Sequence, residues 1–123
     1  MTTLTLTIPA LCDWINANDR LHWAEKARLT RIWRHAAHGA VLRQHKGARF
    51  DVPVRITVTI HKTRAGRYDV SNLSPTSKAI VDGLVDAGVI PDDSNEYVVG
   101  PDMRAGEKRA EACVVVEVRA VAS

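Results

Sequence analysis

Asp69, Lys78 and the pair Asp92-Asp93 are residue types that, once brought together, can work on a phosphate ester. Hard divalent cations prefer carboxylate oxygens, and two or three Asp with several waters make a common Mg²⁺ arrangement. A metal held that way activates water and neutralises charge as a phosphodiester is cut. Lys78 stands in the first turns of a helical segment, where backbone N–H groups also favour anions, and can offset phosphate charge. The spacing also has a plainer reading. Asp-Asp after Pro91 makes an ordinary turn, and Lys78 with Asp82 makes an i,i+4 surface pair.

Positioning these groups falls to six elements. Leu4, Leu6 and Ile8 alternate with polar residues in a first strand closed by Pro9. A polar loop, Asp13 to Arg20, precedes a helix expected from about His22 to Gln44, with Leu29, Ile32, Trp33, Ala36, Ala40 and Val41 on its core face. Alternation from Pro53 to Lys62 predicts a second strand. Ser74 reads as the N-cap of a second helix with Pro75 in its first position, and Gly88 as its stop. A third strand is expected to start near Glu96 and to include Tyr97, Val98 and Val99, and a fourth to run from Cys113 to Val121. The order is β-α-β-α-β-β, an α/β (α+β) class with a small mixed four-stranded sheet and two helices on one face. Residues 1–123 read as a single domain, with no repeat or linker.

The second helix separates the acidic groups. Some 14 residues between Ser74 and Gly88 span about 20 Å, so Asp69 meets Asp93 only if the chain doubles back after Gly88 or a neighbouring subunit closes the gap.

Charge is unevenly spread along the sequence. Met1 to Tyr68 carries twelve Lys/Arg against four Asp/Glu, while Asp69 to Ser123 carries five against ten. One half suits a polyanion and the other supplies carboxylates, although two ordinary solvated surfaces have the same composition. Arg28, Arg31, His35 and His38 share a helix face flanked by Lys26 and Arg34. Lys62, Arg64 and Arg67 lead directly into Asp69, so phosphate contacts there would deliver a backbone to the carboxylates. His22 and His61 are the histidines expected nearest the site. Trp14 is expected at the sheet edge, with stacking on an exposed base as the alternative. Cys12 and Cys113 lack metal-site spacing, and reduced thiols in a cytoplasmic protein are the expectation. No apolar run reaches the roughly 18 residues of a membrane span, and neither a phosphate-binding glycine loop nor a nucleophile elbow is present.

The segment Asp69-x-x-Asn72-Leu73, then Lys78-Ala79-Ile80-Val81-Asp82-Gly83-Leu84, then Ala87-Gly88-Val89-Ile90-x-Asp92-Asp93, resembles the core signature of RusA-like Holliday-junction resolvases. The loop Asn16-x-Asn18-x-Arg20 resembles that family's Asn/Arg-containing loop. The resemblance implies a homodimeric endodeoxyribonuclease of DNA recombination and repair. It would use Mg²⁺, with Mn²⁺ as the alternative, to cut four-way DNA junctions symmetrically, and it suggests a phage or prophage origin. It assigns catalysis to Asp69, Asp93 and Lys78 and metal binding to Asp69, Asp93 and Asp92. Ser71 and Asn72 are site support. Arg20, Lys26, Arg28, Arg31, Lys62, Arg64 and Arg67 are candidates for holding DNA. Two departures stand out: the family's second Asp is Ser71 here, and Asn72 to Lys78 is three residues longer than the pattern. A junction-binding protein with a weakened site is therefore the alternative function.

Overall fold

The computed structural model describes residues 3–121. Its elements are β1 (Thr3–Pro9), α1 (Trp23–Gln44), β2 (Val54–His61), α2 (Ser74–Asp86), β3 (Val98–Ala105) and β4 (Cys113–Ala120), with one 3₁₀ turn, Val70–Leu73, before α2. The class and element order match the expectation. The sheet order is β1-β4-β2-β3, with β4 antiparallel to both neighbours and β2 parallel to β3.

Period-2 alternation decides which side of the sheet is dry. In register, Leu6 faces Val116, Val116 faces Val58 and Val58 faces Met103, while Ile8, Val114 and Ile60 form the next row. These side chains join Leu29, Trp33, Ala37, Ala40, Ile80 and Leu84 of the helices in one core cluster. The intervening row, Thr5, Glu117, Thr57 and Asp102, lies on the other face, where Arg55 Nη1 donates to Asp102 Oδ2 at 2.6 Å.

The edge strand β1 has a side-chain partner. Gln44 Oε1 accepts from Thr7 N–H at 3.0 Å, and Gln44 Nε2 donates to Thr7 C=O at 2.7 Å. The end of α1 thereby occupies hydrogen-bonding positions that would otherwise be open to another strand.

The helices meet closely at Gly83. A Cβ there would press on the carbonyl of Arg34 and come within 2.7 Å of Ala37 Cβ. The glycine of the Asp82-Gly83-Leu84 segment is thus a packing requirement. Gly83→Ala is expected to destabilise the fold by about 1–3 kcal/mol through overpacking, read as a lower urea midpoint with unchanged slope. Beside this contact Arg34 grips Asp86 with two hydrogen bonds, Nε–Oδ2 at 2.5 Å and Nη2–Oδ1 at 2.8 Å. Asp86 therefore joins α2 to α1.

Two local expectations are corrected. Ser74 is the first residue of α2, not its cap: its N–H already donates to Ser71 C=O, because the 3₁₀ turn runs straight into the helix. Pro75 is consequently the second residue of α2, one position later than expected and still within the first turn. β3 begins at Val98, two residues later than Glu96, because Glu96 and Tyr97 belong to the preceding turn, in which Tyr97 and Val98 N–H donate to Ser94 C=O. Gly88, at φ 81°, does end the α2 segment. Among the described residues no helix is long and apolar enough to cross a membrane.

Candidate functional site

The N-terminal end of α2 is assembled from three separated stretches. Asp69 caps the 3₁₀ turn, its Oδ1 accepting from Ser71 N–H at 3.0 Å and from Ser71 Oγ–H at 2.6 Å. Those two bonds hold the Asp69 carboxyl below the usual carboxylate range, the hydroxyl contributing most. Ser71, where the signature has a carboxylate, thus orients Asp69. Asn72 N–H donates to Asp69 C=O at 3.0 Å, while Asn72 C=O accepts from Ala17 N–H at 2.7 Å. Thr76, fully buried, closes the same junction: its Oγ1 accepts from Ile15 N–H at 2.8 Å and donates to Ile15 C=O at 3.1 Å. The Asn16-Asn18-Arg20 loop is therefore tied to the turn carrying Asp69, more than fifty residues further along.

The chain does double back after Gly88. Phe50 N–H donates to Val89 C=O at 2.8 Å, securing the first residue of the return. The following turn lays Asp93 against Lys78, whose ammonium donates to Asp93 Oδ2 and, at 3.0 Å, to Asp82 Oδ1. Two carboxylates thus converge on one cationic group. Asp93 N–H donates to Asp92 Oδ1 at 2.8 Å, which keeps the second acidic side chain in the same turn. Lys78 remains largely exposed, so this pair sits at a surface opening.

The opening is a cleft of about 350 Å³ between α2 and β3. Ser77, Lys78 and Val81 line one side, and Val98, Gly100, Pro101 and Met103 the other, with Asp93 beside Lys78. The far wall follows from an irregularity in β3. Between Arg55 and Thr57 of β2 the pairing moves from Val99 to Asp102, so β3 carries an extra residue at Gly100-Pro101. Gly100 has φ 101°, and a Cβ there would come within 2.7 Å of Asp102 N and 2.9 Å of Ile56 O.

Asp93 is held below the ordinary carboxylate range chiefly by the Lys78 hydrogen bond, and Lys78 is raised chiefly by Asp93 and then Asp82. Because the folded value of Asp93 is depressed, its contribution to stability is present above the unfolded carboxylate value of about 3.9 and is lost as pH falls through the folded value. Lys78→Met is expected to move the Asp93 titration up toward that reference, checked by carboxyl ¹³C NMR across acidic pH.

Among the described residues no group of three or more His, Cys, Asp or Glu forms a metal-sized cluster. Asp82 and Asp93 meet at Lys78, while Asp69 is engaged with its own turn. Neither histidine singled out above joins the cleft. His22 caps α1, Nδ1 accepting from Ala24 N–H at 3.2 Å. His61 is buried at the far end of β2 from the Val54–Val98 pair, with Nδ1 2.8 Å from Glu107 C=O. Trp14 stacks on Trp33, centroids 5.2 Å apart and planes 18° off parallel, so it packs on α1.

The basic residues separate into groups. Arg28 is paired with Glu25, while Arg20, Lys26 and Arg31 are exposed. Lys62 lies over the Tyr68 ring at 3.8 Å, immediately before Asp69, and Arg64 and Arg67 are exposed beyond it. Lys62 C=O accepts from Arg109 N–H at 2.9 Å, which draws the loop before β4 alongside. Lys108, exposed in that loop, and Arg109 thereby join the basic surface. Their separation from Lys62 in sequence hid this; the only local hint was Lys108-Arg109 itself.

No protein-family model matches this chain, and no curated protein matches it. One solved structure found as a neighbour is described as "Crystal structure of HypE-HypF complex", at 13% identity and a TM-score of 0.38, covering 94% of this chain and 31% of that one. The chain spans under a third of that neighbour, and a likeness so low carries no argument about function.

Proposed function

We propose that this protein is a RusA-like endonuclease that cuts four-way DNA junctions by Mg²⁺-dependent phosphodiester hydrolysis, working as a homodimer. The observation that carries the reading is the chain reversal after Gly88, which sets Asp93 on Lys78 with Asp82 alongside. Helical spacing alone would leave Asp93 a helix length away from Lys78. The proposed donors, Asp69, Asp92 and Asp93, fit the ion in chemistry: all are hard carboxylate oxygens, and Asp93 already faces a positive charge beside Asp82.

Asp69, Asp92 and Asp93 would hold the ion, which when bound activates water and neutralises phosphate charge. Lys78, drawn off Asp93, would turn to the phosphate, while Ser71 keeps Asp69 ionised and oriented. Lys62, Arg64 and Arg67, with Arg20, Lys26, Arg28 and Arg31, would hold the DNA backbone, and binding should weaken steeply with salt. A four-way junction offers two equivalent strands, which a C₂ pair of sites matches.

A second reading keeps the fold as a junction-binding protein with a weakened site. Ser71 in the carboxylate position favours it, as does the meeting of only two carboxylates at Lys78. Incubation of the protein with a synthetic four-way junction and Mg²⁺ or Mn²⁺ separates the two. Symmetric nicks that vanish with EDTA support the nuclease. Tight junction binding without nicks supports the weakened site, and equal binding to linear duplex removes both.

A further inference from the structure

We infer that the cleft between α2 and β3 receives an unstacked nucleobase, held at its polar edge by Ser77. The inference takes the nucleic-acid reading above as its premise for the occupant. Ser77 lines the cleft and is 1% exposed. Its Oγ is one of two buried side-chain polar atoms among the described residues that have no hydrogen-bond partner, the other being Tyr68 Oη. A buried hydroxyl left unpaired costs about 1–3 kcal/mol, so a ligand that pairs with it recovers that cost.

The surroundings of that hydroxyl select the ligand. Val81, Val98, Pro101 and Met103 make the walls largely apolar, which suits the faces of a flat ring. Around 350 Å³ falls within the usual range of small-ligand sites. A phosphate is a poor occupant. As long as no cation draws Asp93 away, the one ammonium at the mouth is shared by Asp82 and Asp93, whose charges disfavour an anion inside the cleft itself. A neutral base meets no such repulsion, and every base edge can donate to or accept from a hydroxyl. Extruding a base costs least where it is unpaired or already single-stranded, and Lys78 at the rim stands where the attached backbone would pass.

The chain contains two methionines, Met1 and Met103, so methyl-¹³C labelling gives Met103 a resonance inside the cleft. The full-length protein is titrated with the four deoxynucleoside 5′-monophosphates, with deoxyribose 5-phosphate and with inorganic phosphate. A saturable shift of the Met103 methyl by at least one nucleotide, absent with the two base-free probes, is the expected result. Ser77→Ala should weaken that nucleotide's binding about five- to tenfold without lowering Tm, because the hydroxyl has no partner to lose. An equal shift with inorganic phosphate overturns the proposal, as does no shift with any nucleotide or unchanged binding in Ser77→Ala. The titration uses no junction, so the two readings fail separately. Nucleotide binding here by a protein indifferent to four-way junctions leaves this site standing and removes the resolvase. Junction cutting with an unresponsive Met103 methyl removes this site alone.

Discussion

Asp93→Asn is expected to reduce Mg²⁺-dependent cutting of a four-way junction by at least roughly 10²-fold while leaving junction affinity essentially unchanged. The substitution keeps the shape of the side chain, and an amide oxygen still accepts from Lys78. What disappears is a negative charge at the point where Asp82 and Asp93 converge. Cation binding depends on that charge, whereas backbone contacts depend on the basic loops elsewhere. Asp93 is half-buried but its partner Lys78 is largely exposed, so the ion pair is screened by solvent, contributes little to stability, and Tm should move little. Single-turnover cleavage and fluorescence anisotropy with the same labelled junction give the two quantities. Parallel loss of cutting and binding would mean that Asp93 holds the turn in shape and has no part in the chemistry.

Trp33→Ala is expected to destabilise the protein by about 3–5 kcal/mol, roughly 10–20 °C in Tm for a domain of this size. Trp33 is fully buried, stacks on Trp14 and donates its Nε1–H to Asp13 C=O at 3.0 Å. Truncation opens a ring-sized void and leaves that carbonyl without its donor. The same contacts anchor the start of the loop that continues through Ile15 and Ala17 to Thr76 and Asn72. The Asp69 turn should therefore loosen as well, visible as faster amide exchange at Ser71 and Asn72. Trp33→Phe keeps most of the volume and should cost only about 1–2 kcal/mol. Equal costs for Ala and Phe would show that the hydrogen bond, and not packing, carries the residue's contribution.

These two residues also mark how far local pattern reaches. Trp33 was legible as core, because residues three and four apart on a helix share a face and the alternating strands needed a cover. Lys78 with Asp82 was legible for the same reason, being one helical turn apart. Asp93 against Lys78 was not. Fifteen residues and a reversal lie between them, and a turn signal such as Pro91-Asp92-Asp93 announces a change of direction without its destination. The cap of α2 was misread because Ser74 and Pro75 fit a helix start, while the 3₁₀ turn capped by Asp69 had already satisfied Ser74 N–H. Ser77 carried no signal, since an unpaired hydroxyl is recognised only when its neighbours are known.

The amino-acid order by itself determined the elements, their sequence along the chain and the side each turns toward the core. Those properties follow from periods of 2 and 3.6 residues and from glycine and proline at the ends. Tertiary structure alone decided that β4 lies between β1 and β2, that Asp13 to Arg20 is bonded to the Asp69 turn, and that α2 and β3 leave a cleft beside Lys78. Such neighbours are chosen by summed packing and hydrogen bonding across the whole domain, and no short window of sequence contains that sum.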